Sequence, residues 1–294
     1  MVVGNPPVHP GAPDVTATDR PERRSPHVPA TAGRITPIGL LGRRPVAIIE
    51  RNFLAYRRMW ALFLTGFLEP LLYLGSIGVG VGALVGGVQL ASGHTVPYEV
   101  FVAPGLFAVA AMNGAIMDTT FGFFVKFKYG KTYDAMLSTP LGVADVAIGE
   151  VTWAVLRGAV YALAFLVAMV AFGLVESWWA VLALPIAMLI AYAFAGAGLA
   201  ASTFMRSFVD FDFISLALVP LFLFSATFFP LERYPEWLAA VVRITPLYQG
   251  VSLTRAVVLG DLHWGLLAPV TYLVVMGTVG LRIAARRLGT LLQP

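Results

Sequence analysis

The chain has 294 residues, of which 12% are charged and 58% apolar, with a mean hydropathy of +0.79. A water-soluble domain carries about 25% charged and about 45–50% apolar residues, so this composition excludes a soluble globule and indicates a polytopic membrane protein. The lack of cysteine removes disulfides, thiolate metal sites and Cys nucleophiles, and the four histidines (His9, His27, His94, His263) have no ligand spacing. The formal charge of +4 does not indicate nucleic acid, because the basic residues flank long apolar runs instead of forming one patch.

Residues 1–36 contain seven of the twenty prolines and almost no large apolar side chains, so they are expected to form a disordered cytosolic tail. With no apolar run before about residue 60, no cleaved leader is expected. In the next segment, PVAIIERNFLAYRRMW (45–60), Val46, Ile49, Phe53, Tyr56 and Trp60 recur at helical spacing with Arg51 and Arg58 opposite. This pattern predicts an amphipathic interfacial helix, the alternative being the cytosolic start of the first span.

A helix needs about 20 apolar residues to cross the hydrocarbon layer. Charge-poor stretches then place six spans at about 60–82, 99–125, 146–172, 179–204, 211–229 and 264–283. Pro104, Pro220 and Pro269 fall inside spans, where neighbouring helices can satisfy the freed carbonyls. Sixteen of the twenty Lys and Arg residues then lie on one side and three on the other, with Arg157 inside a span. This asymmetry predicts both termini in the cytoplasm. Gly78, Gly82 and Gly86 have GxxxG spacing and read as a contact within the chain or at a dimer seam, in preference to a ligand site.

Gly130-Lys131-Thr132 has the ending of a phosphate-binding loop, but Val125 stands where its first glycine belongs, and a transmembrane helix precedes it instead of a strand. Any ATP hydrolysis is therefore expected on a separate chain. Among the intramembrane polar groups, Glu69 and Arg157 are assigned the same depth and are expected to pair, locking the first and third spans. The alternative sends Arg157 into a water-filled pathway. Asp118 and Glu150 are the other candidates for this buried pair or pathway. Asp210 and Asp212 near Arg206 read as interfacial helix-end charge, and no catalytic triad or metal-binding carboxylate cluster emerges.

Between the second and third spans, Tyr133, Met136 and Leu137 make a short apolar helical face closed by Pro140. A cytosolic helix with that face suits docking onto a partner, the alternative being an ordinary solvated loop helix. From 230 to 260, Pro235 and Pro246 bracket a short helix with an apolar face of Trp237, Leu238, Val241 and Val242. Its neighbours Arg233, Arg243 and Arg255 are expected at the outer surface, balanced by Glu232, Glu236 and Asp261.

Three phrases, FLEPLLYL (67–74), FVAPGLFAVAAMN (101–113) and YDAMLSTPLGVADVAIGE (133–150), resemble the permease subunits of type-2 ABC exporters, and within them the nodulation-factor, or lipo-oligosaccharide, export branch. The likeness covers roughly 60–283 and leaves the Pro-rich tail outside it. The resemblance implies an all-α membrane protein: six transmembrane helices, an N-terminal amphipathic interfacial helix, a cytosolic coupling helix, and short re-entrant helices between the fifth and sixth spans. It implies that Tyr133, Asp134, Met136, Leu137 and Pro140 couple to an ABC nucleotide-binding ATPase subunit. That subunit would carry ATP and Mg, with no catalytic residue, cofactor or metal on this chain. It further implies a homodimer, or a heterodimer with a related permease, in the inner (cytoplasmic) membrane. The substrate expected is an amphipath: a lipo-oligosaccharide, a glycolipid or a hydrophobic drug. The rival reading is a secondary transporter or channel without an ATPase partner, for which inverted repeats or paired midplane acids are expected and not found.

Overall fold

The structure, a computed structural model, describes residues 43–57, 68–90 and 93–292. The expected tail and residues 58–67, where the first span was placed to begin, lie outside the described residues. The order is α1 (Arg43–Arg57), α2 (Leu68–Val85), a ribbon of β1 (Gly87–Gln89) and β2 (Thr95–Pro97), α3 (Tyr98–Tyr129), α4 (Thr132–Leu137) and α5 (Val143–Ala171). There follow α6 (Trp178–Ser202), α7 (Asp210–Leu223), α8 (Glu236–Ile244), α9 (Pro246–Leu259) and α10 (Trp264–Leu292).

Five of these helices, α2, α3, α5, α6 and α10, are long and apolar enough to cross a membrane. The fifth predicted span, 211–229, is represented by α7, which has only 14 residues. Pro220 lies near its end, and the chain then leaves the helix and turns through Ala226, which has a left-handed φ of 56°. The antiparallel ribbon, with Val88 opposite Val96, departs from the all-helical expectation. Pro97, which has no N–H to donate, ends β2 and leads directly into α3.

Helix α3 is the axis of the fold. From Val100 to Ile116 every residue except Asn113 is buried, and α2, α5, α6 and α9 surround it. Small residues set how closely the helices approach. A Cβ on Gly114 would lie 2.8 Å from the Cα of Gly158, and one on Gly158 would lie 2.7 Å from the Cβ of Ala191, so α3, α5 and α6 meet almost backbone to backbone. Gly196 of α6 and Gly277 of α10 are equally tight, a Cβ on the former falling 2.4 Å from the carbonyl oxygen of the latter. The expected glycine seam on α2 is partly such a contact: Gly78 and Gly82 abut Glu99 at the start of α3, while Gly86, at φ 72°, ends the helix.

The outer faces are apolar. Leu156, Val160, Leu163, Val167 and Val170 form an exposed stripe along α5 at alternating spacings of four and three residues, the pattern of a helix solvated by lipid on that side. In α7 no residue is buried, and Phe213, Leu216 and Val219 face outward. The two expected short helices before the last span are present as α8 and α9, with Pro235 immediately before the first and Pro246 opening the second.

Candidate functional site

The end of the bundle that carries α4 concentrates the buried charge. Helix α3 closes there in two π turns, Asp118–Gly122 and Val125–Tyr129, a local widening that recurs at functional sites. Carbonyls at the first π turn are engaged by side chains: Thr119 Oγ1 donates to Ala115 O at 3.1 Å and Thr120 Oγ1 to Ile116 O at 2.6 Å.

Arg157 of α5 reaches the carboxylate of Asp118, with Nη1 at 2.5 Å from Oδ1, and Tyr56 of α1 donates its hydroxyl to the same oxygen. Arg157 also donates to Tyr161 Oη from Nη2 (2.8 Å) and Nε (3.1 Å), and its guanidinium lies over the rings of Tyr56 and Tyr161. The side chains of Asp118 and Arg157 are 2% and 10% exposed, so each charge at this depth requires the other.

The expected Glu69–Arg157 pair is therefore replaced by Asp118–Arg157. Glu69 is exposed and lines a small cavity of about 120 Å³ with Tyr73, Asn113 and Phe222. Asn113 precedes Asp118 by five residues, which is about 7.5 Å along a helix axis. Counting residues inward from the ends of two spans could not determine the axial offset between them.

A second cluster lies beside the first. Lys126 Nζ is 2.6 Å from Glu150 Oε2, and Asn52 of α1 donates to the same carboxylate at 3.4 Å. Lys126, expected in a cytosolic loop, sits instead on the last turn of α3, because that helix runs four residues past the predicted end of its span at 125. Glu150, another candidate for the buried pair, is thus engaged by a lysine. Asn52 and Tyr56, one turn apart on α1, touch the two clusters in turn.

Helix α1 therefore meets the bundle through Ile48, Asn52 and Tyr56, while Val46 and Phe53 of the predicted apolar face remain exposed. An exposed apolar stripe beside Arg51 and Arg57 fits a helix lying at a membrane surface. The sequence pattern marked the stripe, counting Tyr56 in it, but gave Asn52 no role.

The structure also corrects the face assigned to α4. Tyr133 is 1% exposed and stacks on Phe123 at 5.0 Å, and Met136 is 9% exposed, so both fill the interior of their own chain. Burial, reinforced by the nearby Glu150 charge, pushes the Tyr133 phenol above its ordinary pKa. Leu137 is half-buried, whereas Asp134, Ala135, Ser138, Thr139 and Pro140 are exposed. An i, i+3, i+4 apolar face says that a helix packs on something; here the bundle itself takes that place.

At the opposite end, Arg255 is not the surface charge expected. Its Nη2 donates to the carbonyls of Ala226 (2.8 Å) and Phe101 (3.3 Å), and its guanidinium stacks 4.0 Å from the Phe101 ring centroid. Thr254 next to it donates to Pro104 O at 2.9 Å, so α9 fastens onto α3 where proline interrupts the hydrogen-bond ladder. Arg233 and Arg243 are exposed.

Among the described residues no group of three or more His, Asp or Glu side chains converges as a metal site. The two charged clusters join α1, α3 and α5. Residues 46–259 match the family model described as ABC-2 type transporter. Nodulation protein J of Rhizobium leguminosarum bv. trifolii is 32% identical over 218 residues, 73% of this chain and 81% of that protein. Nodulation protein J of Neorhizobium galegae is 30% identical over 262 residues, 86% of this chain and 96% of that protein. The family match, running from α1 to the end of α9, takes in the surface helix, the buried charge clusters and the paired short helices, and the chain belongs to the ABC-2 type transporter family as a membrane permease of an ABC exporter.

Proposed function

We propose that the chain moves an amphipathic substrate, a lipo-oligosaccharide, glycolipid or hydrophobic drug, out across the cytoplasmic membrane, powered by a separate nucleotide-binding subunit that holds ATP and Mg. The permease acts as a homodimer or as a heterodimer with a related permease. In this reading the chain crosses the membrane six times, with α7 in the fifth span, and both termini lie in the cytoplasm, which the distribution of Lys and Arg supports.

The observation that carries this reading is the mounting of α4. The short helix is rooted in the bundle by Tyr133 and Met136, while Asp134, Ala135, Ser138 and Pro140 face away from it. A helix held on one side and free on the other can transmit a push from a docked subunit. Its neighbours on the inner side, Phe123, Phe127 and the Glu150 cluster, continue into α3 and α5. ATP drives the cycle through its different affinity for two arrangements of the assembly, since equal affinity shifts nothing.

The test is reconstitution in vesicles with an ABC nucleotide-binding ATPase subunit that co-purifies with this chain. The complex should show vanadate-sensitive export, and Ala135→Trp, on the exposed face of α4, should uncouple ATPase activity from export while leaving the permease folded. Export driven by an ion gradient without the ATPase subunit would establish the rival, a secondary transporter or channel.

A further inference from the structure

At the end of the bundle remote from α4, a cavity of about 670 Å³ opens between the ribbon, the first turns of α3, helix α9 and the loop before α10. Its size falls within the range of about 300–1,000 Å³ usual for ligand sites. Unlike the grooves on α2 and α10, whose linings are mainly apolar, it is lined by polar and apolar residues in nearly equal number. Glu176, Glu232 and Asp261 contribute three carboxylates, and Arg255 contributes the one guanidinium. With histidine counted as neutral, the lining therefore has a net charge of −2, and His94, His263 and Tyr248 are the remaining titratable groups.

The donors and acceptors differ in availability. Nη2 of Arg255 is committed to backbone carbonyls, whereas its Nε is buried without a hydrogen-bond partner. The three carboxylates are exposed at the rim, and Gln249, Ser252 and Tyr248 stand on α9 beside Arg255. Such a lining offers carboxylate acceptors for O–H and N–H donors, an aromatic surface, and hydroxyl and amide groups that can both donate and accept. A phosphate or carboxylate would meet two more negative than positive charges and be repelled, whereas a hydroxyl-rich group, neutral or amine-bearing, can bond to the carboxylates bidentately.

We propose that this pocket is the reception site for the polyhydroxylated, non-anionic headgroup of the exported amphipath as it leaves the bundle on the outer side. The proposal rests on the export reading for its direction and adds the site and its charge selectivity. A headgroup held here is shielded from re-entering the membrane while its apolar portion passes into the outer leaflet along the exposed surfaces of α7 and α8.

The test uses the full-length permease in nanodiscs, with a glucosamine tetramer, maltotetraose and glucose 6-phosphate as soluble probes in calorimetry. The two tetrasaccharides should bind and glucose 6-phosphate should not. The double variant Glu232→Gln/Asp261→Asn should weaken the glucosamine tetramer by at least about tenfold, while Glu236→Gln, on α8 outside the pocket, should change nothing. Absence of tetrasaccharide binding, equal binding of glucose 6-phosphate, or unchanged binding in the double variant overturns the site. Probe binding by a permease whose ATPase complex exports nothing would uphold the site and sink the export reading alone; export by a complex that binds no probe would do the reverse.

Discussion

Arg157 and Asp118 form a salt bridge of 2.5 Å between α5 and α3, with Tyr56 of α1 on the same carboxylate oxygen. Removing the cation leaves a buried carboxylate uncompensated, which typically costs about 3–5 kcal/mol. Arg157→Gln should lower the unfolding temperature in detergent strongly, and Arg157→Gln/Asp118→Asn should lose much less than the two single losses combined. Glu69→Gln combined with Arg157→Gln should be additive. Coupling between Glu69 and Arg157 instead would restore the pairing expected from depth counting.

The close helix approaches predict a sharp contrast between glycines. Any side chain at Gly196 or Gly277 meets backbone within 3.0 Å, so Gly196→Val must part α6 from α10 and should abolish folded, monodisperse protein. Gly289, also on α10, has nothing within 4 Å of an added Cβ. Gly289→Ala should be neutral or stabilising by up to about 1 kcal/mol, because it removes backbone freedom from the unfolded chain. Thermal unfolding of the two variants separates the cases.

The two sides of α4 should respond differently to substitution. Met136→Asp places a charge among Tyr133 and its aromatic neighbours and should destabilise the permease itself. Asp134→Lys lies on the exposed side, so it should leave unfolding unchanged and reduce recovery of the ATPase subunit in co-purification. A loss of stability in Asp134→Lys would show that this face is already occupied within the chain.

Topology is accessible because the chain has no cysteine of its own. Single replacements Glu236→Cys on α8 and Ser138→Cys after α4 both stand at exposed positions. An impermeant maleimide applied to intact cells should label the first, and the second only after permeabilisation. Labelling of Ser138→Cys from outside would invert the proposed orientation.

The loop before α7 has a pH-dependent fastening. Backbone N–H groups of Arg206 and Ser207 donate to Asp210 Oδ2 at 2.6 and 3.0 Å, and these bonds hold its carboxylate below the usual range. A depressed folded-state pKa stabilises above the ordinary value of about 4 and is lost as pH falls through the folded value. Hydrogen exchange at Arg206 and Ser207, corrected for its intrinsic pH dependence, should show constant protection from pH 8 to about pH 5 and weaker protection in acid. Asp210→Asn should remove the acid dependence.

Periodic features were the legible ones. The long apolar runs located α2, α3, α5, α6 and α10, and the prolines at 235 and 246 located the two short helices between them. The ribbon escaped because GVQ and TVP are too short to show alternation. The length of α7 escaped because the charge-free run continues from Phe224 to Phe229 after the helix has ended. Asn52 gave little warning of its role, since a single polar residue on an amphipathic helix is ordinary until its partners are known, and Tyr56 was legible as part of the apolar face but not as a hydrogen-bond donor to Asp118.

Composition and hydropathy determined by themselves that this chain belongs in a membrane, because burying or exposing an apolar run of about 20 residues is a property of that run alone. The sequence likewise determined that intramembrane charges such as Arg157 need partners, since the cost of an isolated charge in hydrocarbon depends little on the fold. Only the tertiary structure decided which partners they have. Asp118 is 39 residues from Arg157 and Asn52 is 98 from Glu150, and such pairings depend on the rotation and axial offset of one helix against another. Those offsets are set by side-chain volume at the helix contacts, by Gly114 against Gly158 and Gly196 against Gly277, where a difference of one methyl group moves whole helices. The same rotation decided that Tyr133 and Met136 turn inward and leave Asp134 and Ala135 exposed.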